Sequence, residues 1–464
     1  MSKRLTLIAV CLGLFLAQTD TTAVNLALPA TGRDLHGSLA GMQWVLDAYN
    51  LAFATLLLTG GTLGDRFGRR LLFRLGIGAF VVGSALCAVA PGLAVLIGGR
   101  ALQGAGAACA IPQSLAILSV VFTEPAERDR AMAAWSAVTG IALAGGPLLG
   151  GVLVESTGWA AIFRLNLPVG AIALALSRAV EESAEGRPRR IDLAGQVLGA
   201  GFLAALTFAI VESGHTGWSS SPVLVAAAVA IAGFAAFGVA ERRREPMLPL
   251  GLLRRGQLPV ATVVALCMTF GAYGTLLLVS LTLQRHTTAL LAGLALLPQP
   301  IMVIVGSPLA GRLASRYGPR PPMTAGMTLL AAGLLALALA GDQAPVPLLE
   351  VIFAVIGLGI GLTAGPVVGV AVSAVAPGRA GLAGGIANLA RMFGVTLGVA
   401  VLGTVFAGAG FRAALLVGAA VEALGAAMAW RVQRVQRRNA AATETAGVDE
   451  LVSSSKTANA TSPR

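Results

Sequence analysis

Charge is what this sequence has least of. Asp, Glu, Lys and Arg make up 12% of its 464 residues, whereas a soluble domain carries about a quarter, so a water-exposed globular fold is excluded. Histidine is nearly as scarce, with three residues (His36, His215 and His286). They form no HExxH pair, so a helix-borne zinc hydrolase site is excluded. The four cysteines (Cys11, Cys87, Cys109, Cys267) lack CxxC spacing and fall in apolar stretches. They read as free buried thiols rather than a disulfide framework or a metal site. No GxxxxGK[ST] stretch occurs. "GLGIGLTAGP" (Gly357 to Pro366) has glycines but neither the lysine nor a strand context, so a phosphate-cradling loop is also missing.

What is present is apolar sequence: 56% of residues are hydrophobic and mean hydropathy is +0.81. Runs of 18 or more apolar residues read as membrane-spanning helices. Fourteen are expected, over 7–29, 41–64, 71–90, 93–119, 131–154, 159–177, 193–212, 222–240, 258–283, 290–310, 322–340, 347–375, 381–407 and 411–431. The first runs well past a signal peptide's apolar core, and its "NLALPATG" exit makes a poor cleavage site, so it is expected to stay in the mature protein.

The basic residues set an expected orientation. With both termini cytoplasmic, the outer loops hold Arg33, Arg164, Arg285 and Arg412, and the spans hold Arg100 and Arg391. That leaves 27 of the 33 Lys and Arg inside, as the positive-inside rule requires. The net charge of +12 then reads as loops held at an anionic inner leaflet, not as a nucleic-acid surface.

"GGTLGDRFGRR" (Gly60 to Arg70) returns 250 residues later as "GRLASRYGPR" (Gly311 to Arg320). The two copies join spans 2–3 and spans 10–11, so the chain divides into equivalent six-helix bundles over 1–180 and 257–432. An inserted pair of helices and its links occupy 181–256. Parallel repeats of this kind are one way a transporter builds two halves that rock around a central site. The segment after span 8, Glu241 to Gly256, has the composition of a membrane-surface link, and 433–464 loses periodicity and reads as a disordered cytoplasmic tail. Asp65 stands in the first copy of the repeat where Ser315 stands in the second.

Ionisable residues at membrane depth are costly and mark pathways. Asp20 lies roughly 14 Å from the outer face, Arg100 roughly 11 Å and Asp47 roughly 9 Å. All three belong to the outer half of the first bundle, where they are able to converge. Asp47 also reads as an interfacial carboxylate, and Asp20 with Arg100 as a static ion pair. Arg391 and Glu422, each roughly 15 Å from the inner face, are expected to pair. Polar and aromatic residues in the spans, Asn25, Trp44, Tyr49, Asn50, Gln103, Gln113 and Asn166, are candidate substrate contacts, faced by Gln299, Asn388 and Arg391. Each alone also reads as a helix–helix hydrogen bond. Their apolar surroundings suit a small amphipathic substrate.

Several motifs carry a resemblance. "GTLGDRFGRR" resembles the loop 2–3 signature of the major facilitator superfamily, and "GRALQGAGAA" (Gly99 to Ala108) its proton-coupling motif in span 4. "GIALAGGPLLGG" (Gly140 to Gly151) resembles the antiporter motif of span 5, and "TDTTAVNLALP" (Thr19 to Pro29) the span 1 motif of the fourteen-helix drug:proton antiporter branch. "GWAAIFRLNLPVGAIAL" and "IVESGHTGWSSSPVL" resemble antibiotic self-resistance exporters of the methylenomycin-resistance type. The likeness covers about residues 5–432. It implies an all-α polytopic fold of two six-helix bundles plus two inserted helices.

The resemblance also implies roles. Gly61, Asp65, Arg66, Gly68, Arg69 and Arg70 would form a conformational latch, with Asp65 meeting a helix end in the opposite half, near Gly381. There the free amides and helix dipole favour a carboxylate. The arginines alone are explained by anchoring at the inner face. Gly146, Pro147, Gly150 and Gly151 would form the antiporter face, equally a close-packed kinked helix. Asp20, Arg100 and Asp47 would carry proton coupling, since a carboxylate releases its proton in the relevant range and arginine does not. The expected function is proton-coupled export of small drugs or antibiotics by a monomer without cofactor or metal. The alternatives are an uptake symporter for a small metabolite, which shares the fold, and a membrane enzyme or channel, for which no catalytic cluster or pore ring is visible.

Overall fold

The computed structural model describes residues 2–184, 192–241, 256–375 and 380–432. The tail 433–464, most of the link before the inserted pair (185–191) and most of the link after it (242–255) lie outside the described residues.

Among the described residues fourteen α-helices follow in order. They are α1 (Ser2–Asp34), α2 (Leu39–Phe67), α3 (Arg69–Ala88), α4 (Leu93–Val121), α5 (Pro125–Thr157), α6 (Ala160–Leu176), α7 (Leu193–Thr216) and α8 (Ser221–Ala240). After the second link come α9 (Leu258–Leu283), α10 in two segments (Ala289–Leu296 and Pro298–Tyr317), α11 (Arg320–Ala340) and α12 (Val346–Ser373). The last helical run, Ala380–Trp430, is broken at Gly410 (φ 84°, ψ 178°) into α13 (380–409) and α14 (411–430). No strand occurs among the described residues. Where every backbone polar group must be satisfied within lipid, continuous helices are the available solution.

The expected spans all fall inside these helices to within two residues, but several helices run further. α1 starts at Ser2 instead of residue 7, and α5 starts at Pro125 instead of 131. Hydropathy measures the membrane-thick part of a helix, whereas its end is set locally. In α5 a proline opens the first turn and Glu127 sits where the helix dipole favours an acid. α10 is interrupted at Leu297, because Pro298 has no N–H to continue the ladder.

The repeated turn recurs in the backbone. α2 ends at Phe67 and α3 starts at Arg69 around Gly68 (φ 114°), and α10 ends at Tyr317 before Gly318 (φ 86°). Both glycines sit in the left-handed region that a β-carbon disfavours.

Among the first six helices, α1 packs on α5 and α6, α3 on α4 and α6, and α2 on α4. Among the last six, α9 packs on the Ala380–Trp430 run, α10 on α12, and α11 on both α12 and that run. Met323, Met327, Leu330, Leu334 and Phe353 centre the apolar core of the last six. α7 lies against α2, α8 and the Ala380–Trp430 run. α8 is the most outward helix, with Ile231 73% and Phe234 61% exposed. A helix apolar on every face and exposed this way is clad by lipid, not water. The chain is a multi-pass membrane protein.

Candidate functional site

Take the end of the molecule carrying Arg66, Arg69 and Arg70 as its basic face. Just past the middle of α1 from that face, Asp20 is 1% exposed, and Arg100 of α4 is 1% exposed. They are joined as an ion pair through Arg100 Nη1 and Asp20 Oδ2. The other Asp20 oxygen accepts from Asn166 Nδ2 of α6 at 3.0 Å and Gln103 Nε2 at 3.2 Å. Gln103 also accepts from Arg100 Nη1 at 2.8 Å and donates to Ser84 Oγ at 2.7 Å, and Asn166 donates to the same hydroxyl at 3.2 Å. Arg100 Nε donates to the Val45 carbonyl at 3.0 Å, and its guanidinium stacks over Tyr49 at 4.4 Å. Both buried charges are therefore multiply satisfied, the condition under which an ion pair survives burial. Asp20, Arg100, Gln103, Asn166 and Tyr49 come together as one network across α1, α2, α4 and α6. Gln103 and Asn166 serve Asp20 inside the helix packing.

Asp47 does not join them. It is 0% exposed and neither carboxylate oxygen has a hydrogen-bond partner, so the expected convergence of three ionisable groups holds for two. Nor do Arg391 and Glu422 form an ion pair. Glu422 is 0% exposed and accepts from the Gly271 amide of α9 at 3.1 Å. Arg391 pairs with no described carboxylate, and its Nε lacks a partner. Depth along a helix matched these two residues, but depth does not fix which side of the helix each one faces.

Between the first six and last six helices lies a narrow pocket with room for about one water molecule, lined by Thr21, Asn25, Leu46, Asn50 and Arg100 on one side and Tyr273, Val395 and Val399 on the other. Asn25 donates to the Thr21 carbonyl at 2.9 Å while its own Oδ1 has no partner. Arg391, one turn before Val395, is within electrostatic reach of the Tyr273 phenol.

Other residues from the substrate list stand elsewhere. Trp44 packs on Phe208 of α7, ring centroids 6.3 Å apart. Gln113 is buried and donates to the Gly60 carbonyl at 2.9 Å, pinning α4 to α2. The Gln299 backbone lies against Gly357 of α12. Asn388 is half-buried on α13, three residues before Arg391. Ser84, Thr21 and Tyr273 were not among the sequence candidates, although Ser84 and Tyr273 are isolated polar residues in apolar runs and Thr21 adjoins Asp20.

At the basic turn, Asp65 pairs with Arg69 of its own motif at 2.9 Å. The carboxylate at a helix end is Glu182, from the link after α6. It accepts from the Arg70 and Leu71 amides at 3.0 and 3.2 Å, and Ser183 accepts from the Arg69 amide at 2.9 Å. Arg70 Nη1 donates to the Val180 carbonyl at 3.1 Å. Arg66 stacks over Phe67 at 5.3 Å, and nothing lies within 4 Å of a β-carbon placed on Gly61. Glu182 is the residue that sequence reasoning missed here; the clue was an acidic pair at the head of a basic link. The side chains at Gly381, where Asp65 was expected to dock, lie outside the described residues. In the second copy Ser315 donates to the Arg312 carbonyl at 2.9 Å, and Arg320 stacks over Trp430 at 4.0 Å.

The glycine face of α5 touches both sets of helices. Gly146 packs on Thr22, and a β-carbon on Gly150 would lie 3.0 Å from the Ala23 backbone. One on Gly151 would lie 2.8 Å from Ala289 and Leu290 of α10, while Gly293 sits against the Pro147 carbonyl. Among the described residues, the hydrogen bonds between the first six and last six helices are all on the same side. Gln43 donates to the Val399 and Ala400 carbonyls at 3.1 and 3.0 Å, Ser280 to the Asn25 carbonyl at 2.6 Å, and Gln284 to the Leu26 carbonyl at 3.0 Å. The Leu290 amide donates to Glu155 at 3.3 Å. All of them lie toward the face opposite the basic turns, so the two sets are closed together there among the described residues.

Two sets of helices closed at one end around a small polar pocket, each set carrying a copy of the basic turn, match a known family in sequence as well. The Major Facilitator Superfamily matches residues 10–399 and again 260–459. The chain belongs to the major facilitator superfamily. Within it, the chain is 40% identical over 410 residues to the multidrug resistance protein Stp of Mycobacterium tuberculosis, covering 88% of this chain and 76% of that protein. It is 35% identical over 435 residues to the methylenomycin A resistance protein of Bacillus subtilis, covering 91% and 93%. With the tetracenomycin C resistance and export protein of Streptomyces glaucescens it shares 37% over 407 residues, 87% of this chain and 76% of that one. A facilitator of this family is a transporter rather than an enzyme.

Proposed function

We propose that this facilitator exports small amphipathic drugs or antibiotics in exchange for protons, as a monomer in the cell membrane with both termini in the cytoplasm. The carrying observation is the Asp20–Arg100 pair. It is buried within a hydrogen-bonded network, yet Arg100 also lines the pocket between the two sets of helices. A proton carrier must gain and lose its proton within reach of the substrate, and Asp20 is the carboxylate one side chain away from that pocket. When Asp20 takes a proton, its pairing with Arg100 weakens. Arg100 is then freer to turn toward the pocket, so protonation and substrate binding compete for one guanidinium.

In this reading residues 1–180 and 257–432 are the rocking halves and 181–256 the inserted pair with its links. The basic face is cytoplasmic by the distribution of Lys and Arg, so the closed end is extracellular and the captured state faces inward. The glycine face of α5 provides that closure through α1 and α10. Asp65, free of the opposite half here, docks when the cytoplasmic side closes. Asn25, Asn50, Tyr273 and Arg391 meet the substrate. The names of the relatives, which include a puromycin resistance protein of Streptomyces alboniger, support antibiotics as the cargo.

The test is drug susceptibility. An efflux-deficient bacterial host expressing this protein is expected to tolerate raised concentrations of at least one of puromycin, tetracenomycin C and methylenomycin A, with lower accumulation of the drug inside. Unchanged or increased accumulation of all three at verified membrane expression would reject export of this cargo, and increased accumulation would favour the uptake symporter.

A further inference from the structure

Two helices that outrun their apolar stretches do so at the same end of the molecule. α1 begins with Ser2, Lys3 and Arg4 ahead of its apolar run, and α5 with Pro125 to Arg130 ahead of its own. Each helix has 33 residues, roughly 50 Å of length against about 30 Å of hydrocarbon. Their charged first turns therefore stand at the level of lipid headgroups, on the basic face.

The two overhangs and the end of α4 enclose a cleft of about 550 Å³. Its floor is Leu7, Phe122 and Ala131, which belong to the apolar core of the first six helices. Its rim is Lys3, Arg4, Glu127 and Arg130. Lys3 Nζ pairs with Glu127 Oε2 at 2.6 Å and lies 5.8 Å from the centre of the Phe122 ring. Arg4 and Arg130 form no ion pair among the described residues. Glu127 thus offsets Lys3, and two guanidiniums are left facing a cleft that holds no second acid. Arg128 and Asp129, exposed between Glu127 and Arg130, are opposite in sign and lie outside the lining.

A cleft with two free guanidiniums on its rim repels a cation and suits a phosphate, whose oxygens the planar guanidinium fork matches. The floor narrows the choice further. A fully hydrated inorganic anion gains nothing from Phe122 and Leu7, whereas a headgroup that carries apolar chain gains from burying it there. Just inside the cleft, Ile8 of α1 is 47% exposed and Val120 of α4 is 43% exposed, so both walls offer apolar surface to that chain.

We propose that this cleft binds the headgroup of an anionic phospholipid, its phosphate held by Arg4 and Arg130 and the start of its acyl chain laid on Phe122 and Leu7. Basic pockets between helices at a membrane surface take such headgroups. The site needs neither the export reading nor its direction of transport. The test is thermal melting of the purified full-length protein in detergent, titrated with phosphatidylglycerol, with phosphatidylcholine and with inorganic phosphate. Phosphatidylglycerol is expected to raise the melting temperature at concentrations where the other two do not. Arg4→Ala and Arg130→Ala should each raise the phosphatidylglycerol needed about fivefold. Glu127→Gln, which releases Lys3 to the headgroup, should lower it, a change of sign that simple damage to the fold does not produce. Arg312→Ala with Arg316→Ala, removing two exposed charges from the basic turn of the other half, should leave the response unchanged. Equal responses to phosphatidylglycerol and phosphatidylcholine, the same shift with inorganic phosphate, or an equal loss in the Arg312 and Arg316 variant would overturn the site. Transport plays no part in this readout, so either outcome leaves the export reading to its own test.

Discussion

At the scale of single residues, Asp20 and Arg100 each keep the other's charge tolerable inside the helix packing. Replacing Arg100 by Ala leaves Asp20 sealed at 1% exposure without its counter-charge, the kind of change that costs about 3–5 kcal/mol. Asp20→Asn leaves an amide able to bond with Gln103 and Asn166, but it also leaves the Arg100 guanidinium, 1% exposed and unable to lose its proton, without a counter-charge. Arg100→Ala should therefore lower the melting temperature markedly and abolish transport. Asp20→Asn should also melt below wild type while still binding substrate, yet fail to move it uphill. Binding by the purified variants and export from cells, measured side by side, check this; uphill export by Asp20→Asn that collapses with the proton gradient would remove Asp20 from the coupling role. The polar members of this network were legible because charge and amide groups are rare in apolar runs. Ser84 was not, since a short hydroxyl is readily tolerated by a membrane helix when it bonds its own backbone, as Ser84 also does to the Phe80 carbonyl at 2.8 Å. The expected Arg391–Glu422 pair failed for a different reason. Sequence position sets depth, and only packing decides that Glu422 turns toward the Gly271 amide.

At the scale of elements, the two copies of the basic turn share a glycine hinge but not an electrostatic partner. Asp65 pairs with Arg69 at 2.9 Å in a partly exposed i,i+4 geometry, worth about 0.3–0.5 kcal/mol. Loss of so weak a contact cannot by itself cripple the protein. Asp65→Asn should leave stability nearly unchanged but reduce transport several-fold, because its larger contact forms in the other state; Ser315→Ala, which removes only a hydroxyl bonded to its own helix, should do neither. Initial export rates at matched membrane expression decide it, and equal rates for the two variants would leave the turn as an anchor only. Helix existence was readable almost everywhere from apolar runs alone. The ends were not: α5 begins six residues before its apolar run because Pro125 and Glu127 start a helix regardless of hydropathy, and the break in α10 depends on where one proline falls relative to the packing against α5.

At the scale of the whole molecule, orientation follows from the skew of basic residues, an argument about synthesis and lipid charge rather than packing. In intact cells, cysteines introduced at Asp342 and His215, both exposed, should react with a membrane-impermeant thiol reagent, and one at Arg178 should not; the reverse pattern would invert the direction of transport. Alternating access was legible only as a possibility in the repeat. That the closed end is the one opposite the basic turns depends on Gln43, Ser280, Gln284 and Glu155 finding partners across the midline, which no single helix announces. The central claim is that a proton gradient drives drug export through this protein. Proteoliposomes holding the purified protein, with the basic face outward and an acidic interior, measure it directly. The account predicts that they accumulate at least one of puromycin, tetracenomycin C and methylenomycin A, that a protonophore releases it, and that Asp20→Asn vesicles accumulate none. Accumulation that persists after the gradient is collapsed, or no accumulation of any of the three by wild-type vesicles, would contradict it.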